Sequence, residues 1–196
     1  LLPSVPPSGN VFIDIGANIG TWTKCLDPQY EQVHAIEPNP AALPMLKSNL
    51  PTNVQVHEFG AWSKEEHITF GQFEHSLHMT AYFENEGIHT GPRRGEITLP
   101  CQRIDGLEIE ELVTFIKCDT EGAEIESLTG ASSLITRDRP WLLVEVHSAE
   151  NFRQLTRLLD EWGYLFTVIR DPNYPPFSDL WHNHCWFSCQ PAVQRI

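Results

Sequence analysis

The stretch VFIDIGANIG, residues 11–20, constrains the fold of this chain more than any other. A largely apolar run reaches Asp14, and glycines at 16 and 20 flank Asn18. This is the pattern of a buried strand that ends in a sharp turn and enters a helix. Strand-like and helix-like segments then alternate. Strands are expected at 11–15, 33–36, 54–57, 115–118 and 141–146. Helices are expected at 21–26, 40–49, 123–128 and 152–162, with Pro40 early in the second, Asn151 capping the last, and Gly130 and Gly163 as stops. Repeated strand–helix–strand units predict an α/β fold with a mainly parallel, doubly wound sheet and helices on both faces. The last strands, 164–169 and 185–188, are joined by a loop without helical pattern. They are expected to pair as an antiparallel hairpin, because a parallel pair needs a crossover.

Length and pattern predict one domain over residues 10–196. Residues 1–9 read as a linker or the end of a missing N-terminal segment. Between 64 and 102 the pattern changes: β-segments at 67–70 and 97–100 bracket a polar stretch at 74–95, read as an inserted hairpin or lid. The formal net charge of −13 argues against nucleic acid, which calls for a basic footprint. No apolar run approaches the roughly 18 residues of a membrane span. Five cysteines, an odd number without a C-x-x-C pair, fit a reducing cytoplasm.

In such a sheet, ligands gather beyond the carboxyl ends of the strands. The first strand ends at Asp14-Ile15-Gly16, where a bare backbone allows close approach and turn N–H groups offer donors. The second ends at Glu37-Pro38-Asn39, where an acid can accept from both hydroxyls of a ribose. The glycine spacing is G-x-x-x-G rather than G-x-G-x-x-G, and an acid at the turn suits an aminoacyl ammonium better than a pyrophosphate. The cofactor expected is therefore S-adenosylmethionine rather than a nicotinamide dinucleotide. After the third strand, Ala61 and Trp62 offer an apolar wall for an adenine, although Trp62 reads equally well as core.

Four stretches, VFIDIGANIGTWT, HAIEPNPAALPMLKSNL, FIKCDTEGAEIESLTGA and RPWLLVEVH, together resemble the FkbM family of S-adenosylmethionine-dependent methyltransferases. The most specific is the K-x-D-x-E-G-A-E pattern from Lys117 to Glu124. The resemblance implies a seven-stranded sheet whose last strand is antiparallel. It also implies O-methyl transfer to a hydroxyl of a sugar or other small natural product. It carries cofactor binding onto Asp14, Gly16, Asn18, Gly20 and Glu37, and sets Asp119 facing the reacting methyl.

Three polar groups are expected to converge at the strand ends: Asp119, Glu121 and the Glu145/His147 pair, the last two on one side of their strand. His147 is the preferred general base, because its ordinary pKa lies near neutrality, with Asp119 second. Asp119, Glu145 and His147 also form an oxygen/nitrogen set able to hold a divalent ion, a reading ranked below the metal-free one. His182 and His184 point to opposite faces of an extended chain and make a poor zinc pair. Arg93 and Arg94 read as solvated charge or as partners of an acidic substrate group. A non-catalytic binding protein on the same fold is the alternative of a different class.

Overall fold

The computed structural model describes residues 8–51, 53–73, 79–81, 93–170 and 185–192. In chain order the strands are β1 (Gly9–Ile15), β2 (Tyr30–Ile36), β3 (Val54–His57), β4 (Gly60–Ala61), β5 (Glu66–Phe73) and β6 (Met79–Ala81), followed by β7 (Arg93–Gln102), β8 (Val113–Cys118), β9 (Trp141–Val146), β10 (Tyr164–Arg170) and β11 (Cys185–Pro191). The helices are α1 (Thr21–Leu26), α2 (Leu43–Asn49), α3 (Glu124–Thr129), α4 (Ser132–Asp138) and α5 (Ala149–Glu161).

Seven strands form one sheet in the order β10-β11-β9-β8-β1-β2-β3. Pairing is parallel from β9 through β8, β1 and β2 to β3, while β11 runs antiparallel to both β9 and β10. The expected architecture and the antiparallel last strand are both present. Alternate residues of β1 explain the continuous apolar run. Val11, Ile13 and Ile15 pack with Leu128, Ile135, Leu155 and Leu159 of α3, α4 and α5. Phe12 faces the other way, against Leu26, Tyr30, Val33 and Phe115. With both faces covered, no position along the strand tolerates exposure to water.

The segment expected as an inserted hairpin forms a second sheet, in the order β4-β7-β5-β6. Its centre is the antiparallel pair of β5 and β7, longer at both ends than the segments 67–70 and 97–100 predicted. The polar residues 74–78 and 82–92 of the expected lid, the linker at 1–7 and the loop at 171–184, with His182 and His184, lie outside the described residues. Arg93 and Arg94 begin β7.

Two helix starts and one whole helix differ from expectation. The second helix begins at Leu43, so Pro44 rather than Pro40 occupies its first turn. Helix α5 begins three residues earlier than predicted. Its cap is Ser148, whose Oγ accepts the Asn151 N–H at 3.0 Å, so Asn151 is an internal first-turn residue with its side chain released for another role. Helix α4 is short and includes β-branched residues, so its sequence carries little helical signal. No helix among the described residues is long and apolar enough to cross a membrane.

Candidate active site

A cleft of roughly 660 Å³ opens at the carboxyl ends of β1, β2 and β8. Gly16, Asn18, Glu37, Pro38, Ala61, Trp62 and Asp119 line it, as expected. Asp14 and Gly20 do not belong to its wall.

Asp14 is fully buried between Thr23, whose hydroxyl donates to Oδ2 at 2.6 Å, and Lys117, whose Nζ lies 3.2 Å from Oδ1. The sheet register sets this pair, because Asp14 on β1 lies opposite Lys117 on β8. The Lys117 ammonium also donates to the Gly16 carbonyl at 2.8 Å and lies 3.6 Å from Asp119 Oδ2. Burial pushes the lysine pKa down, but Asp14 and Asp119 outweigh it and hold the ammonium charged. Asp14 thus shapes the turn through Lys117 and Thr23, from behind the cleft wall.

The two glycines serve packing first. Gly16 has φ +75, and a Cβ there would lie 1.9 Å from the Asp119 carbonyl oxygen. Gly20 has φ +88, and its Cβ would meet Leu46 of α2 at 2.9 Å. The turn's backbone donors are engaged as well. Gly16 and Ala17 N–H both donate to the Ile36 carbonyl at 3.0 Å. Asn18 N–H, at a residue with φ +50, donates to Glu37 Oε2 at 2.8 Å, and Asn39 N–H donates to Oε1 at 2.8 Å. Burial raises the Glu37 pKa, opposed by those two N–H groups. Each Glu37 oxygen keeps a further lone pair for a ligand.

Opposite stands an apolar wall. Trp62 packs with Phe70, Cys101 and Ala123 and lines the cleft, so it is core and wall at once. Helix α3 anchors this segment through Ser127, which donates to the Ala61 carbonyl at 3.0 Å. Gly130 lets the Trp62 carbonyl approach, since a Cβ there would lie 2.0 Å from that oxygen. The small sheet adds Phe70 from its inner strand β5 and Met79 from its short edge strand β6, neither of which sequence reasoning singled out.

The acids gather at one end. Asp119 and Glu121 line the cleft, and Glu145 and His147 lie behind them. Although β9 stops at Val146, ligand atoms of Asp119, Glu145 and His147 fall within 4.8 Å of one another. His147 is 1 % exposed. Its Nδ1 lies 2.9 Å from Glu124 Oε1, and its Nε2 lies 3.3 Å from Glu121 Oε2 and 3.8 Å from Asp119 Oδ1. Burial pushes the imidazole pKa down, but Glu124, Glu121 and Glu145 outweigh it and bring it to about 9. Asp119 is pushed up to about 6, by burial and by Glu145 and Glu121 against Lys117.

Glu124 is the organiser that sequence reasoning did not single out. It is fully buried, and its Oε1 accepts from Gly122 N–H at 2.9 Å and Thr120 N–H at 3.3 Å besides facing His147. Oε2 accepts from Asn151 Nδ2 at 2.7 Å. His147 and Gly122 outweigh the effect of burial and hold its pKa low. The same loop carries Glu121 at φ +54, a backbone conformation uncommon for a residue with a side chain. The second glutamate of the K-x-D-x-E-G-A-E pattern was the available signal, as was Lys117, a lone cation in an apolar strand.

Residues 14–166 match the Methyltransferase FkbM domain, most of the chain. The chain belongs to the FkbM methyltransferase family. "Methyltransferase 1" of Beauveria bassiana (strain ARSEF 2860) is 24% identical over 208 residues, covering 87% of this chain and 78% of that protein. The crystal structure of methyltransferase FkbM from Methylobacillus flagellatus KT superposes with a TM-score of 0.66 at 23% identity. That match covers 95% of this chain but only 45% of the Methylobacillus protein, so this chain spans under half of its length. SMU.1697c of Streptococcus mutans, a putative methyltransferase solved in complex with SAH, has a TM-score of 0.55 at 12% identity, over 93% of this chain and 89% of its own. At these identities the solved structures share the fold.

Proposed function

We propose that this FkbM-family chain is an S-adenosylmethionine-dependent O-methyltransferase acting on a hydroxyl of a sugar or other small natural product. The donor set of the cleft suits the cofactor. Glu37 at the end of β2 offers acceptor lone pairs to a diol, the Ile15–Asn18 turn offers a close backbone, and Ala61 with Trp62 offers an apolar wall. Bound there, S-adenosylmethionine supplies a methyl group already activated on a sulfonium centre.

The protein's remaining tasks are to align the acceptor and take its proton. The observation that carries the reading is the position of Asp119, on the cleft wall at the end of β8 with Glu121 beside it. Its side chain is 23% exposed, whereas that of His147 is 1% exposed. Asp119 is therefore the group within reach of an acceptor hydroxyl, and His147 acts from behind it. This reverses the order expected from the sequence, for a reason of access. Phe70 and Met79 offer the acceptor's carbon skeleton an apolar surface.

A small acceptor fits the chain's net charge of −13, and its odd cysteine count supports a cytoplasmic setting. Transfer of labelled methyl from S-adenosylmethionine to a panel of glycosides, polyols, amines and carboxylic acids tests the reading. Alkali-stable methyl ethers are expected, and transfer confined to amines or carboxylates in the same panel would overturn it.

A further inference from the structure

Asn151 stands outside the cleft wall, yet its side chain reaches the loop that forms one end of that wall. The Ser148 hydroxyl caps α5 and fixes Asn151 in the first turn through its backbone N–H. The amide Nδ2 then donates to two acceptors, the Gly122 carbonyl at 3.0 Å and Glu124 Oε2 at 2.7 Å. A carbonyl and a carboxylate oxygen both call for donors. Only the NH₂ end of the amide can face them, and its two hydrogens match the two acceptors. Leu155 and Leu159 of the same helix are fully buried in the core, so the amide is mounted on a rigid element.

These bonds close a brace around residues 120–122. Glu124 Oε1 accepts from Thr120 N–H at 3.3 Å and Gly122 N–H at 2.9 Å, while Asn151 takes the Gly122 carbonyl. Between them Glu121 sits at φ +54, where a side chain crowds its own backbone. Such a conformation persists only where the surrounding contacts over-determine it. Glu121 and its neighbour Asp119 both line the cleft. Asp119 N–H is fixed separately, to the Ile15 carbonyl at 3.1 Å, so the brace governs the side of Asp119 that leads into residues 120–122.

We propose that Asn151 is a positioning residue for methyl transfer: acting through Glu124 and Gly122, it holds the 120–122 turn so that Asp119 and Glu121 face the acceptor. This role rests on the methyltransferase reading above, with Asp119 as the proton acceptor. A misplacement of about 1 Å transmitted from a residue away from the chemistry costs about 10²-fold in rate. The cofactor end does not share the brace. There Gly16 and Ala17 N–H donate to the Ile36 carbonyl, and Asn18 and Asn39 N–H donate to Glu37. Loss of the Asn151 amide therefore acts on turnover and spares cofactor affinity.

The test is Asn151→Asp in the full chain, read by turnover, S-adenosylhomocysteine calorimetry and amide hydrogen exchange. The substitution keeps the side-chain shape and suits the first turn of a helix, but it sets a carboxylate against Glu124 and the Gly122 carbonyl. Turnover at saturating S-adenosylmethionine should fall about 10²-fold, with S-adenosylhomocysteine affinity within about threefold of wild type. Thr120 and Gly122 N–H should exchange at least about tenfold faster, and Gly16 and Ala17 N–H at the wild-type rate. A residue that only stabilises the fold would leave the turnover of the folded chain unchanged. If Asn151→Asp fails to fold, Asn151→Ala removes the donors without adding charge and carries the same measurements. Turnover within about threefold of wild type, or unchanged exchange at Thr120 and Gly122, overturns the proposal; with wild type transferring methyl, the positioning role alone is then wrong. Faster exchange in the variant, with no methyl transferred by wild type to any acceptor, leaves the brace standing and overturns its role in methyl transfer together with the reading of the cleft.

Discussion

The two ends of the cleft are built from different materials. At the Gly16–Glu37 end, backbone groups satisfy one another: Ile36 accepts two turn N–H groups, and Glu37 accepts two more. At the Asp119–His147 end, side chains from three separate segments meet, and one buried carboxylate, Glu124, ties them together. The first end is a preformed surface with its charge balanced by N–H donors. The second gathers Asp119, Glu121 and Glu124 around the His147 imidazole. On the function proposed above, binding and chemistry are separated: one end would recognise by shape, and the other would work by field and proton transfer. Lys117 bridges the two, touching Asp14, the Gly16 carbonyl and Asp119.

Breaking that bridge should have the largest effect. Lys117→Met leaves Asp14 buried without its counter-charge, a loss of about 3–5 kcal/mol expected in a urea unfolding titration. A loss under about 1 kcal/mol, the scale of an exposed ion pair, would show that the two ends are independent of the bridge. Asp119→Asn should separate the ends cleanly. Turnover is expected to fall about 10²- to 10⁴-fold, as for removal of a proton-accepting group. Affinity for S-adenosylhomocysteine should stay within about threefold of wild type, because only the chemical step loses an interaction.

The mirror experiment is Glu37→Gln. It removes a charged acceptor from two backbone N–H groups and from the cofactor's diol, each such bond worth about 1.5–3 kcal/mol. Cofactor affinity should drop about tenfold or more while turnover at saturation is retained, as when binding common to ground and transition state is lost. A drop in turnover at unchanged affinity would exchange the roles assigned to the two ends.

The smallest effect is confined to acid pH and to the sheet edge beside the cofactor end. His34 on β2 stacks on His57 of β3 with Nδ1 2.9 Å from Nε2. Burial, together with the charge of His57 and against that of Glu111, lowers the His34 pKa from 6.5 to about 4. The unfolded chain therefore binds more protons than the folded one between those values. Stability is fully present above pH 6.5 and declines as pH falls toward 4. Thermal melting of wild type should show that decline, and His34→Phe should flatten it. An equally steep acid limb in the variant would place the sensitivity elsewhere.

The same contrast explains what the sequence disclosed. Strands β1, β2, β8 and β9 read correctly because burial on both faces writes a continuous apolar run into each. Glu37, Ala61 and Asp119 were legible because strand ends are where such a sheet presents ligands. That Asp14 faces a lysine 103 positions later, behind the cleft wall, was not legible, because a strand-end acid looks alike in either setting and only the register reveals the lysine. The Glu124–His147–Asn151 network was hidden for the same reason. Glu124 lies more than 20 residues from both His147 and Asn151, and Asn151 mimicked a cap whose true occupant is Ser148. Of VFIDIGANIG, Gly16 lines the cleft while packing against Asp119, and Gly20 is a spacer against Leu46 outside the cleft wall.

The most direct measurement is calorimetric titration of the wild-type chain with S-adenosylhomocysteine. One site per chain, weakened by Glu37→Gln and retained in Asp119→Asn, is the predicted result. A folded wild-type chain that releases no binding heat across several temperatures would contradict it.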